Sequence, residues 1–230
     1  MTTSDKSRAD APPTCAYGGG MTTVVLTGFE PFGGDTSNPS GAAIDLVASR
    51  WAGPATLVTA VLPVTFDGAA AQLSDLIRDH SPDLVIAVGL AGGRRAISIE
   101  RIAVNLVDAR IPDNAGAQPI DEPSLVGAPD ARFSTLPVKA IARAVTDAGI
   151  PAELSHSAGT FVCNHVFFHA LARAAHGTRA GFIHVPWDTA NAPSGAPSLP
   201  ISDIATALDI AIRTSLASPT DIRAVGGAVS

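Results

Sequence analysis

Thr22-Thr23-Val24-Val25-Leu26-Thr27-Gly28-Phe29-Glu30-Pro31-Phe32-Gly33-Gly34 is the stretch that decides the architecture. Through Thr27 it is a short, β-branched, apolar run with no polar face. Such a run reads as a strand buried on both sides, the habit of parallel sheets. Gly28 ends the strand and a glycine-framed turn follows. Outward from this point the chain repeats the alternation. Further strands are predicted at Ala55–Leu62, Leu84–Val88, Ala152–Ser155 and Gly181–Val185. Helical spacing is found near Ser40–Arg50, Asp67–His80, Leu136–Ala148, Cys163–Ala175 and Ser202–Ser215, the last with Ser202 and Asp203 as cap candidates. Glu100–Val107 alternates polar and apolar residues, as a half-exposed strand does. Strands alternating with helices imply the α/β class, a mostly parallel sheet covered on both faces. Binding sites in such folds gather at the carboxyl ends of strands.

Residues 1–20 are polar, Gly/Pro-rich and aperiodic, and read as a disordered extension. Met21, after three glycines, is an alternative start. Residues 21–217 then form one domain, with 218–230 a loose tail. Two long segments, 108–131 and 187–200, read as loops, and loops of the first one's length commonly carry function.

The 230 residues are 46% hydrophobic, enough for one sizeable core. The net charge of −6 is spread without a basic stripe, which argues against a nucleic-acid partner. No apolar run approaches the roughly 20 residues that span a bilayer, and the first 20 residues lack a signal-peptide core. With 2 cysteines and no disulfide framework, the expectation is a soluble cytoplasmic protein without membrane partners.

Cys163, in Gly159-Thr160-Phe161-Val162-Cys163-Asn164-His165, falls in the first turn of a helix. The partial positive charge there is expected to lower a thiol's pKa toward the reactive thiolate. The other cysteine, Cys15, lies in the extension, so Cys163 is either a nucleophile or an inert core residue. A nucleophile needs a base and a group to orient it. His184, ending the apolar strand before Pro186, is either that base or a core histidine bonded to backbone. Glu100 opens a strand past a glycine turn and either holds the imidazole or pairs with Arg95 or Arg101. Arg110 either neutralises an oxyanion or is simply solvated. Phe29 and Phe32 either plug the core or clamp a small flat ring, with Phe161 as a third wall. His165 and His169 have zinc-ligand spacing, but no third ligand accompanies them.

Several motifs in order resemble the pyroglutamyl-peptidase I (pyrrolidone-carboxylate peptidase) family of cysteine peptidases. They are TGFEPFGG (27–34) with Asn38-Pro39-Ser40, VGLAGGR (88–94), ERIAVNL (100–106), DARIPDNAG (108–116), FSTLPVKA (133–140), AGTFVCNHVFF (158–168) and GFIHVP (181–186). The resemblance implies a three-layer α/β/α sandwich and a triad of Cys163, His184 and Glu100. It also implies a pyrrolidone pocket at Phe29, Phe32, Asn38, Leu90, Phe161 and Val162, with Arg110 in support. Peptides bearing an N-terminal pyroglutamyl residue are the implied substrates, with no metal or organic cofactor and a homo-oligomer, often a tetramer. The chain departs from the family at Leu90, where glutamine is usual, and at Trp187-Asp188, where tyrosine is common. A backbone contribution from position 90 survives that change; a side-chain contribution does not.

Overall fold

The computed structural model describes residues 21–227; the extension at 1–20, with Cys15, lies outside the described residues. In chain order the elements are β1 (Thr23–Phe29), α1 (Pro39–Arg50), β2 (Thr56–Leu62), α2 (Phe66–His80), β3 (Leu84–Leu90), β4 (Ile97–Glu100), β5 (Ile102–Val104) and β6 (Ala131–Phe133). Then follow α3 (Val138–Asp147), β7 (Ala152–Ser155), α4 (Val162–Arg173), β8 (Arg179–Val185), β9 (Trp187–Asp188), β10 (Ser198–Leu199) and α5 (Ile201–Ala217).

Six strands form one sheet in the order β2-β1-β3-β8-β4-β7. Every neighbouring pair is parallel except β8 with β4. Successive side chains on a strand point to opposite faces. Val24 and Leu26 therefore join a core with Ile44 of α1, Ile141 of α3 and Leu208 of α5. Val25 and Phe29 join the opposite core, with Leu73 of α2 and Phe167 of α4. The result is the expected three-layer α/β/α arrangement. Leu84–Val88 of β3 are all at 0% exposure. Burying each large aliphatic side chain there stabilises by about 1.5–3 kcal/mol, which anchors the strand that leads into the glycine turn.

The alternation over Glu100–Val107 is not one strand. The regular pattern runs from Ile97 to Val104, but the chain leaves the main sheet at Arg101. The Arg101 N–H donates to Ser155 O and its carbonyl accepts from Ser134 N, so its hydrogen bonds point to two different partners. β4 stays in the main sheet, while β5 turns away to pair with the short β6. Glu100 therefore closes a strand rather than opening one. The cap expected on α5 from Ser202 or Asp203 is also absent: Pro200 is the N-cap residue, without a side-chain cap bond. The segment 187–200 contains the short parallel pair β9 and β10.

The stretch read as a loose tail makes defined contacts. The Asp221 carboxylate accepts from the backbone N–H groups of Lys139 and Ala140, each at 3.0 Å. These are among the free donors at the start of α3, whose own N-cap, Pro137, makes no side-chain cap bond. A distant carboxylate thus does the work of a local cap. Asp221→Ala should cost about 1 kcal/mol, read as a fall of about 2–4 °C in Tm; an unchanged thermal midpoint would show that the tail contributes nothing.

Candidate active site

The order β2-β1-β3 makes the carboxyl ends of β1 and β3 a switch point, where α/β sheets open a crevice. A cavity of about 260 Å³ lies there. It is smaller than the roughly 300–1,000 Å³ of pockets that hold drug-sized ligands, and so suits a small group. Phe29 and Leu90, the last residues of β1 and β3, line it with Phe32, Asn38, Phe161, Val162, Cys163 and His184. Eight of the residues singled out in the sequence therefore meet in one place. Glu100 stands behind His184, fully buried.

The antiparallel step in the sheet joins the carboxylate to the imidazole. Ser98 of β4 lies opposite His184 of β8, so Glu100 stands diagonally across from it on the same face. The His184 Nδ1 to Glu100 Oε1 distance is 2.7 Å. A carboxylate only accepts, so Nδ1 carries the hydrogen and Nε2 is left as the basic nitrogen. The Phe182 ring packs against the imidazole at a centroid distance of 4.8 Å and holds its plane.

Cys163 arrives from the other direction. The chain reaches α4 through Phe161 in an extended conformation, and Cys163 is the second helical residue. Its sulfur rests against the backbone of Gly89. A Cβ built on Gly89 would stand 2.8 Å from Sγ and 2.8 Å from Phe182 Cζ. Glycine is required here by close approach, since β3 must pass directly beneath the thiol.

The thiol differs from expectation. Burial, followed by the nearby Glu100 charge, pushes Cys163 up to about 12. Arg94 and the helix-start N–H of Cys163 itself oppose the rise without overcoming it. Sγ is part-exposed to the cavity, but the surrounding protein leaves little solvent to support an anion. Burial also lowers His184, despite its hydrogen bond to Glu100. Burial thus favours the neutral form of both the thiol and the imidazole that open onto the cavity.

The walls are aromatic. Phe32 and Phe161 lie 5.3 Å apart, and Phe66 meets Phe161 edge-on at 5.3 Å. Phe66, the first residue of α2, is buried and backs the Phe161 wall without lining the cavity; nothing in its local sequence points to that role. Asn38 lines the cavity with its polar atoms already engaged. Its Oδ1 accepts from Ser40 N and Ser40 Oγ, and its Nδ2 donates to Glu30 O. It caps α1, while Ser40 Oγ accepts from Phe29 N at 3.0 Å.

The long loop acts as a brace. The buried Asp113 carboxylate accepts from Phe66 N at 2.9 Å and from the N–H groups of Ala115 and Ala117. Asn114 Nδ2 donates to Glu30 Oε1 and Pro31 O, which ties the loop to the aromatic turn. Arg110, expected to support an oxyanion, is exposed and does not line the cavity. The neighbouring Asp108 and Ala109 donate their backbone N–H groups to Thr160 O and Pro119 O.

No local pattern marks Arg94 as part of the site. Its Nη1 lies 2.7 Å from Glu100 Oε1, the same oxygen that holds His184. Glu100 thus pairs with Arg94 rather than Arg95 or Arg101. Trp187 packs over the glycine turn, with Nε1 2.5 Å from where a Gly92 Cβ would be.

His165 and His169 are committed elsewhere. His165 Nδ1 bonds Ser124 Oγ at 2.8 Å and His169 Nε2 bonds Ser124 O at 3.1 Å. Among the described residues no group of three or more His, Cys, Asp or Glu could hold a metal ion, and no helix is long and apolar enough to cross a membrane.

The family model for pyroglutamyl peptidase matches residues 22–218. The pyrrolidone-carboxylate peptidase of Clavibacter michiganensis is 49% identical over 213 residues, covering 91% of this chain and 100% of that protein. The Streptomyces coelicolor enzyme of the same name is 46% identical over 214 residues, covering 90% and 99%. Among solved structures, pyroglutamyl peptidase I from Bacillus amyloliquefaciens superposes with a TM-score of 0.86 at 42% identity, covering 89% of this chain and 100% of that one. This chain belongs to the pyroglutamyl peptidase family.

Two predictions rest on this geometry. Gly89→Ala should displace the sulfur and lower turnover on the order of 10²-fold, the cost of about 1 Å of misplacement, while a wild-type rate would mean the thiol is not held there. The second concerns acid stability. Burial lowers His169, His184 and, to about 4, His165 below their ordinary value. The unfolded chain then binds protons that the folded one refuses, so stability is whole above about pH 6.5 and is lost as pH falls. Urea unfolding from pH 6.5 down to 5 should show a loss approaching about 1.4 kcal/mol per pH unit from His165, with His169 and His184 adding in the same direction; a flat profile would contradict it.

Proposed function

We propose that this protein hydrolyses the amide bond that follows an N-terminal pyroglutamyl residue in a peptide, releasing pyroglutamate. Cys163 is the nucleophile, His184 the general base and then acid, and Glu100 the carboxylate that orients the imidazole. The observation that carries the reading is the Glu100–His184 bond, with His184 opening onto the same aromatic cavity as Cys163. Family membership supplies the substrate class.

A pyroglutamyl end has no free amine, so its recognition has no charge to grip. A neutral lactam is held by flat apolar contact and a few hydrogen bonds, which suits the walls formed by Phe29, Phe32 and Phe161. Leu90 makes its part of the wall apolar and leaves polar recognition there to the backbone. Since burial favours the neutral form of both thiol and imidazole, attack begins with proton transfer. His184 Nε2 takes the proton from Sγ as sulfur bonds to the pyroglutamyl carbonyl carbon. The carbonyl electrons move to oxygen. The α4 ladder begins with His165 N to Phe161 O, which leaves the first-turn N–H groups of Val162 and Cys163 outside it and available to the oxyanion. Collapse of the tetrahedral species breaks the C–N bond, and imidazolium gives its proton to the departing amine. Water, deprotonated by His184, then cleaves the thioester and restores the thiol. Glu100 keeps Nδ1–H engaged throughout, so that Nε2 faces the sulfur and the imidazolium is stabilised when it forms. By the same family likeness the proposal includes a homo-oligomer, a tetramer, working in the cytoplasm.

A chromogenic pyroglutamyl amide tests the reading directly. Wild-type protein should release the chromophore, and a thiol alkylator should stop it. Cys163→Ala should lower the rate by at least about 10³-fold with the fold intact. Turnover that survives this substitution would reject the thiol mechanism, and binding without product would mark a protein that only recognises such ends.

A further inference from the structure

Arg94 is a charged residue bonded to the proposed triad that the proposed chemistry leaves without a task. It lies at the end of the Gly89–Gly93 turn, before β4, and its side chain is 26% exposed beside a carboxylate at 0%. One arm, Nη1, donates to Glu100 Oε1 at 2.7 Å, and the other, Nη2, donates to Ser157 O at 3.0 Å. Ser157 belongs to the segment that leads through Ala158 and Phe161, both cavity-lining, into Cys163. Glu100 Oε1 also holds His184 Nδ1, while Oε2 is buried with no partner among the described residues. The orientation of the imidazole thus hangs on one oxygen, and that oxygen is fixed by one guanidinium.

We propose that Arg94 is a positioning residue for the reaction: it clamps the Glu100–His184 pair to the segment carrying Cys163, and its charge offsets that of Glu100 at both the thiol and the imidazole. The role rests on the triad reading above. The charged groups that act on His184 are Glu100 from β4 and Arg94 from the turn, and the same two act on Cys163 across the cavity. Glu100 favours the protonated form of each, and Arg94 opposes it at each. Removing the guanidinium leaves the Glu100 charge unopposed, so thiol and imidazole both hold their protons more tightly. Both limbs that depend on losing those protons then move to higher pH. A planar two-armed donor is also what joins two partners in fixed geometry, which a lysine ammonium does less well.

The test uses Arg94→Gln, Arg94→Lys and the double variant Arg94→Gln/Glu100→Gln in the full chain, with folding checked by circular dichroism. Alkylation of Cys163 by iodoacetamide at one fixed pH of about 8, followed by mass against time, needs no substrate. Arg94→Gln should slow it on the order of tenfold, as one unit in the thiol's pKa would. The double variant, which removes both charges and leaves no buried charge unpaired, should bring the rate back toward wild type. On a pyroglutamyl amide, Arg94→Gln should lower kcat on the order of tenfold or more with KM little changed, and Arg94→Lys should recover the pH profile better than the rate. An alkylation rate in Arg94→Gln that equals or exceeds wild type overturns the assignment. Should Arg94→Gln not fold, a double variant whose rate is far from wild type overturns it instead. Absence of pyroglutamyl hydrolysis by wild-type protein would instead count against the proposed function, and the alkylation rates would still decide on Arg94.

Discussion

The hydrogen bond between His184 and Glu100 is the constraint on which this site depends, and the antiparallel step between β8 and β4 makes it possible. In an all-parallel sheet the carboxyl ends of neighbouring strands lie at one edge. Here β4 runs the other way, and its last residue comes to lie beside the imidazole near the end of β8. The bond is fully enclosed, so the carboxylate could not stand without compensating donors. It has two, on the same oxygen. An enclosed ion pair of this kind gives little net stability, but removing one partner costs much. The site holds geometry at the expense of stability.

That enclosure also explains the protonation state of the thiol. A helix start favours an anion by less than about 1 kcal/mol at ordinary sites. Burial together with a carboxylate behind the imidazole outweighs it and favours the neutral thiol. The same dry surroundings strengthen each electrostatic contact once substrate fills the cavity.

The cavity walls are held from outside. Asp113 engages the first backbone N–H of α2 at Phe66, and Asn114 reaches the aromatic turn at Glu30 and Pro31. Asn38 and Ser40 fix the other side of that turn through the start of α1. Two polar segments thus lock an apolar slot, so that the aromatic rings are in place before any ligand arrives. Preorganisation of this sort lowers the entropic cost of binding a small, uncharged ring.

Local sequence by itself determined the class of fold, because unbroken apolar runs such as Val24–Leu26 and Leu84–Val88 have no other way to be buried than between two helical layers. It also determined the placement of Cys163 in a first helical turn and of His184 near a strand end. The motifs, taken together, pointed to the family and to the aromatic cavity. The tertiary structure alone decided the rest. That Glu100 holds an imidazole as well as an arginine depended on strand direction, and the alternation over Ile97–Val104 gives no sign that the chain changes sheets at Arg101. Phe66 and Asp113 meet across 47 residues, and Arg94 joins Glu100, 6 residues on, to Ser157, 63 residues on; no local pattern encodes these contacts. Arg110 shows the converse, a chemically apt side chain that is exposed and does not line the cavity. The charge state of the thiol likewise followed from its surroundings, since desolvation is a property of the packed interior and not of the residues adjacent in the chain.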